Sequence, residues 1–103
     1  MMGKKVEPQL VKDLVLDGRR YYLVYLRKVY EPVSSNEWAW KTYINVESFY
    51  NDEYAVSRVS ELLKQQGEHC LIEIVGLFKG RELWMSPCEL VVDASRYFGE
   101  EGW

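Results

Sequence analysis

The chain has 103 residues, the size of one domain, with 48% hydrophobic and 28% charged residues and a net charge of -3. That is the composition of a globular core rather than of a disordered segment, and the acidic balance argues against a general nucleic-acid binder, whose affinity rests on neutralising phosphates. Nothing approaches the roughly 20 consecutive apolar residues that span a bilayer. The start, Met1-Met2-Gly3-Lys4-Lys5, lacks the apolar stretch of a signal peptide. A cytoplasmic protein with both thiols, Cys70 and Cys88, reduced is expected.

In chain order, residues 1–8 read as a loose charged arm and residues 9–16 as a first strand. Asp17-Gly18 follows as a hairpin turn, glycine accepting the positive φ that such turns require. The next run, Arg19 to Tyr30, is rich in β-formers and is read as a strand over 20–31. Alternate residues of a strand share a face. One face carries Arg19, Tyr21, Leu23, Tyr25, Arg27 and Val29, and the other Arg20, Tyr22, Val24, Leu26, Lys28 and Tyr30. Both are apolar, so both need a cover, whereas a strand with one wet face alternates with polar residues.

Glu31 to Glu37 is a loop, marked by Pro32 and the Ser34-Ser35-Asn36 cluster. Trp38 to Glu47 then alternates: Trp38, Trp40, Thr42, Ile44 and Val46 on one side, Lys41, Asn45 and Glu47 on the other. This is the pattern of a half-buried third strand. A helix is predicted over 52–66, with Asn51 as N-cap, Asp52 and Glu53 in the first turn, an apolar stripe of Ala55, Val56, Val59, Leu62 and Leu63, and Gly67 at the C-terminal cap. A hairpin follows, with Cys70 to Phe78 as one strand and Glu82 to Met85 as the other. Pro87 breaks or bulges the return strand, and Glu89 to Asp93 continues it. Residues 97–103 read as a flexible aromatic tail.

The predicted fold is α+β: a single domain over 1–103 with an antiparallel sheet made of a three-strand meander, one helix and a two-strand hairpin, with a barrel-like curl at Pro87 as the variant. Trp40 and Trp84 are assigned to the core, Trp38 and Trp103 to the surface.

Catalytic chemistry is sparse. His69 and Cys70 are adjacent in a strand and point to opposite faces, so they cannot form a dyad. With one histidine and no CxxC, no structural zinc site is expected. The pair Asp52-Glu53 is explained by the helix dipole, and no glycine-rich phosphate loop is present. The expectation is a protein with no enzymatic activity, no cofactor and no metal.

The aromatic content, 15% with Trp 4 and Tyr 8, points to an interface, since tryptophan, tyrosine and arginine dominate binding hot spots. The preferred reading is an interaction module for a protein partner or for self-association: a homo-oligomer such as a homodimer, an adaptor or a small inhibitor, of the accessory kind common in bacteria and phages. Tyr21, Tyr25, Arg27, Trp38 and Trp103 are the candidate binding residues. The alternative is a single-stranded nucleic-acid surface on strand 19–30, with aromatics for stacking beside cations for phosphate. Whether Arg19, Tyr21, Tyr25 and Arg27 are exposed and contiguous discriminates between the two.

Overall fold

The computed structural model describes residues 18–101. The arm at 1–8, the strand expected at 9–16, Asp17 of its turn, and Trp103 lie outside them. The described elements are β1 (Tyr21–Pro32), β2 (Trp38–Phe49), α1 (Asp52–Lys64), β3 (Cys70–Lys79), β4 (Glu82–Met85) and α2 (Pro87–Glu101). All strand pairings are antiparallel and the sheet order is β2-β1-β3-β4. The sheet is open, and the α+β class holds without a barrel-like closure. Among the described residues no helix is long and apolar enough to cross a membrane.

β1 is central, which explains its two apolar faces. On one face Leu23 and Tyr25 join Ile72, Ile74 and Leu77 of β3, Ala55, Val56, Val59 and Leu62 of α1, and Leu90 and Ala94 of α2 in the main core. On the other face Val24 and Leu26 form a second buried cluster with Val75 and Phe78, to which, among the described residues, neither helix contributes. Both helices therefore pack on the same side of the sheet.

α1 begins where its sequence predicts. Asn51 takes an extended conformation and its side-chain oxygen accepts from the Tyr54 N–H at 3.0 Å, capping the first turn. The end falls at Lys64 rather than at residue 66. The Gln66 side chain instead accepts from the Ile72 N–H at 2.9 Å, at the start of β3.

α2 replaces the strand expected over residues 89–93, and runs to Glu101, through part of the stretch expected to be a tail. The physical reason is a capping box. Ser86 Oγ accepts from the Glu89 N–H at 3.2 Å, and Glu89 Oε1 accepts from the Ser86 N–H at 2.8 Å. Pro87 is the first helical residue, where its missing N–H costs nothing. It starts a helix instead of bending a strand.

Two glycines are required by geometry. Gly80, with φ +61, turns β3 into β4. Gly76, with φ +157, lies beside the register shift in β1–β3 pairing, and a Cβ there would come within 2.7 Å of Leu83 Cδ1.

Candidate functional site: an aromatic corner on the open sheet face

β2 is turned the opposite way from what its alternation suggests. Its polar side, Lys41, Tyr43, Asn45 and Glu47, lies on the helix side of the sheet, in register with Val29, Arg27, Tyr25 and Leu23. Its apolar side, Trp38, Trp40, Thr42, Ile44 and Val46, faces away from both helices and is largely exposed. A central polar clamp makes this possible. Arg58 of α1 donates through Nε to Glu47 Oε1 at 2.8 Å and through Nη2 to Oε2 at 3.1 Å. The Tyr25 hydroxyl donates to the same carboxylate at 2.6 Å.

These bonds hold the Glu47 carboxyl below the usual carboxylate range, the Arg58 guanidinium first, opposed by burial and helped by Tyr25. Burial, followed by the hydrogen bond to Glu47, pushes the Tyr25 hydroxyl up. Arg58 is itself raised by Glu47. A carboxylate whose oxygens already accept three bonds is a fastener between helix and sheet, not a poised general base.

The open face ends in a row of rings. Tyr30 pairs with Trp40 across the β1–β2 ladder, and its N–H donates to the His69 carbonyl at 2.9 Å on the other side. The ring of Tyr30 lies 5.6 Å from Trp38, 5.4 Å from Trp40 and 5.6 Å from His69, and Trp38 lies 6.2 Å from His69. Trp38 keeps 51% and Trp40 49% of its surface exposed. Below them the face continues through Ile44, Val46 and Leu71, all exposed, around the buried Val24 and Leu26. Exposed apolar side chains gathered on one face mark an interaction surface, unlike scattered single ones.

The corner carries few free cations. Glu37 and Glu68 stand next in the chain to Trp38 and His69 and are exposed. Lys28 shares the face, but its ammonium pairs with Glu73 at 2.8 Å.

The residues predicted to bind are dispersed. Trp38 is exposed, as expected. Tyr25 is 1% exposed and belongs to the main core, so its side chain does not reach the surface. Arg27 lies on the helix side, where its charge acts on Tyr25 and Glu47. Tyr21 is half-buried at the far end of β1, in an edge-on contact with Trp84 at 5.5 Å, with the Lys79 ammonium 5.3 Å from its ring. Trp103 is outside the described residues. Arg19, Tyr21, Tyr25 and Arg27 thus form no contiguous exposed patch.

Two core assignments need correction. Trp40 sits on the open face, and Trp84 is 47% exposed with its indole N–H donating to Asp52 at 3.1 Å. The large buried positions are taken by Tyr25, Leu23, Leu62, Leu77 and Leu90 instead. Sequence reasoning missed Tyr30, His69 and Trp40 as site residues. The signal available was parity: Tyr30 shares a strand face with Lys28 and Leu26, the face that the helix stripe does not need.

Among the described residues no group of three or more His, Cys, Asp or Glu side chains is placed to hold a metal ion. Comparison with protein-family models, with curated proteins and with solved structures finds no match to this chain.

Proposed function

We propose that this protein is a non-enzymatic binding module that recognises another protein through the open face of its sheet, with Trp38, Trp40, Tyr30 and His69 as the anchor. The observation that carries this reading is the inverted strand β2. It turns two half-exposed indoles and a row of aliphatic side chains away from the helices, while Glu47 on its other side is held by Arg58 of α1. Large rigid aromatics bury much area at small conformational cost, which is why they serve as anchors at protein interfaces.

The rings also suit stacked bases, which supports single-stranded nucleic acid as the second reading. Charge favours the first. Phosphates need cations beside the stacking surface, and here Glu37 and Glu68 adjoin Trp38 and His69, while Lys41 beside Trp40 pairs with Glu31 and Lys28 with Glu73. A partner with an apolar centre and a basic rim suits this corner.

The test is capture from extracts of the source cells with the immobilised wild-type chain and with the double variant Trp38→Ala, Trp40→Ala. The wild-type chain is expected to retain a protein that the variant does not, and nuclease treatment is expected to leave that complex intact. A complex that disappears with nuclease and weakens steeply with salt would overturn the protein reading in favour of nucleic acid.

A further inference from the structure

We propose that β2 is a self-association edge, along which two copies of this chain pair antiparallel about a two-fold axis at Tyr43. This surface is the outer rim of β2, which Trp38 and Trp40 border, and the edge variants below leave both tryptophans in place.

The backbone directions follow from one hydrogen bond. The Tyr30 N–H donates to His69 on the β3 side, so Tyr22, Val24, Leu26, Lys28 and Tyr30 direct their backbone groups toward β3, and the alternate residues of β1 direct theirs toward β2. The β1–β2 register runs unbroken from Tyr21↔Phe49 to Pro32↔Trp38. The residues of β2 that bond to β1 are therefore Ala39, Lys41, Tyr43, Asn45, Glu47 and Phe49. Trp38, Trp40, Thr42, Ile44, Val46 and Ser48 point their N–H and C=O groups outward, and among the described residues no strand pairs with that edge.

A long free edge is a template for another strand, and proteins blunt such edges with proline, bulges, shortness or charge. β2 is 12 residues long, its pairing with β1 has no bulge, and it contains no proline. Lys41 is its one cation, and that side chain leans inward toward Glu31 at 3.6 Å. Among the described residues the edge carries none of the usual blunting devices apart from this lysine.

A second copy fits because the strand is self-complementary in one register. With Tyr43 facing the partner's Tyr43, Thr42 faces the partner's Ile44, Trp40 the partner's Val46 and Trp38 the partner's Ser48. Every outward residue then meets an outward residue within the strand, and the exposed Trp40, Ile44 and Val46 meet across the axis on the open face. No like charges face each other. Lys41 faces the partner's Asn45, an uncharged residue. Moving the axis to Ile44 pushes Trp38 against the partner's Tyr50, beyond the end of the strand. Moving it by half that step sets outward residues against inward ones. The product is a closed, isologous dimer with one continuous sheet.

Sedimentation equilibrium of the full chain across the micromolar range is the test. The expected mass is twice the 12.2 kDa of one chain. Thr42→Pro removes an outward N–H that the single copy does not use, and Ile44→Lys places a charge on the edge. Each is expected to raise the dimer Kd at least about tenfold while far-UV circular dichroism stays that of the wild type. In a Cys70→Ala, Cys88→Ser background, Tyr43→Cys is expected to form a covalent dimer on oxidation and Ile44→Cys is not, because residue 43 is the close pair on the axis. A monomeric wild-type chain overturns the proposal, as does a dimer that survives both edge variants. Preferential cross-linking through Ile44→Cys overturns the register.

Discussion

Tyr25 and Arg58 reach the same carboxylate from different elements: the tyrosine hydroxyl from the central strand and the guanidinium from α1 both end on Glu47. The three residues tie the helix to β2 beside Phe49, which packs against the main core from the same face of the strand. Glu47→Ala should therefore cost about 2 kcal/mol, the scale of losing hydrogen bonds to a charged group and leaving donors unpaired. Tyr25→Phe should cost about 1 kcal/mol, because Arg58 still holds the carboxylate. A double-mutant cycle between Tyr25→Phe and Arg58→Met, read by urea denaturation, should show non-additivity through the shared partner. Strict additivity would mean that the two bonds act separately.

The same clamp sets a pH dependence with a defined sign. Glu47 is held below its ordinary value of 4.5, chiefly by Arg58. The folded state therefore binds its proton less readily than the unfolded chain. The stability it contributes is present above the ordinary value and is lost as pH falls through the lower, folded one. Tyr25 is raised above 10.0 by burial and then by Glu47. Its contribution is complete below that value and is lost as pH rises through the folded one. Urea midpoints measured across the acid and alkaline limbs should show both losses. Glu47→Gln should flatten the acid limb, and an acid limb identical to the wild type would assign it to other carboxylates.

The start of α2 gives a third measurement and shows what the sequence held. Ser86-Pro87-Cys88-Glu89 is a capping box with proline at the first helical position, and Leu90 and Ala94 behind it share a helix stripe. Read as a broken strand because of Pro87, the segment concealed a second helix. Ser86→Ala should cost about 1 kcal/mol, measured as a lowered melting temperature, and an unchanged one would mean that tertiary packing alone fixes this end.

Where local chemistry decides, the sequence was readable. Asn51 with its acidic first turn placed α1, and the β-branched and aromatic runs placed the starts of all four described strands within two residues, although the fourth was carried on into residues 89–93, which are helix. What local chemistry cannot decide is which sheet face receives the helices. β1 is apolar on both sides, so its pattern is silent. β2 pointed the wrong way, because its apolar side looked like the one to bury. The deciding contact, Arg58 to Glu47, joins residues on different elements and leaves no periodic trace. The candidate site inherits that limit: Trp38 was legible as a surface residue, whereas Tyr30 and Trp40 became visible only once the helices were assigned to the opposite face.

Tyr25 and Trp38 carry opposite predictions, and the contrast tests the assignment of the open face. Tyr25→Ala combined with Arg27→Ala removes a buried ring from the main core and cuts into the charge cluster around Glu47. Loss of a buried aromatic costs about 3–5 kcal/mol, a large part of the stability of a domain this size, so this pair should lower the melting temperature sharply. Trp38→Ala with Trp40→Ala trims half-exposed rings that stack beside Tyr30 and, for Trp38, beside His69. No core volume is lost, so the chain should stay folded within about 1 kcal/mol of the wild type, while partner binding falls by at least about tenfold, the scale of a single hot-spot loss. Melting curves for both doubles, set beside binding of each folded variant, separate the two roles. If the tryptophan pair collapses the fold and the Tyr25–Arg27 pair spares it, the open face is the structural one and the corner is not a recognition surface.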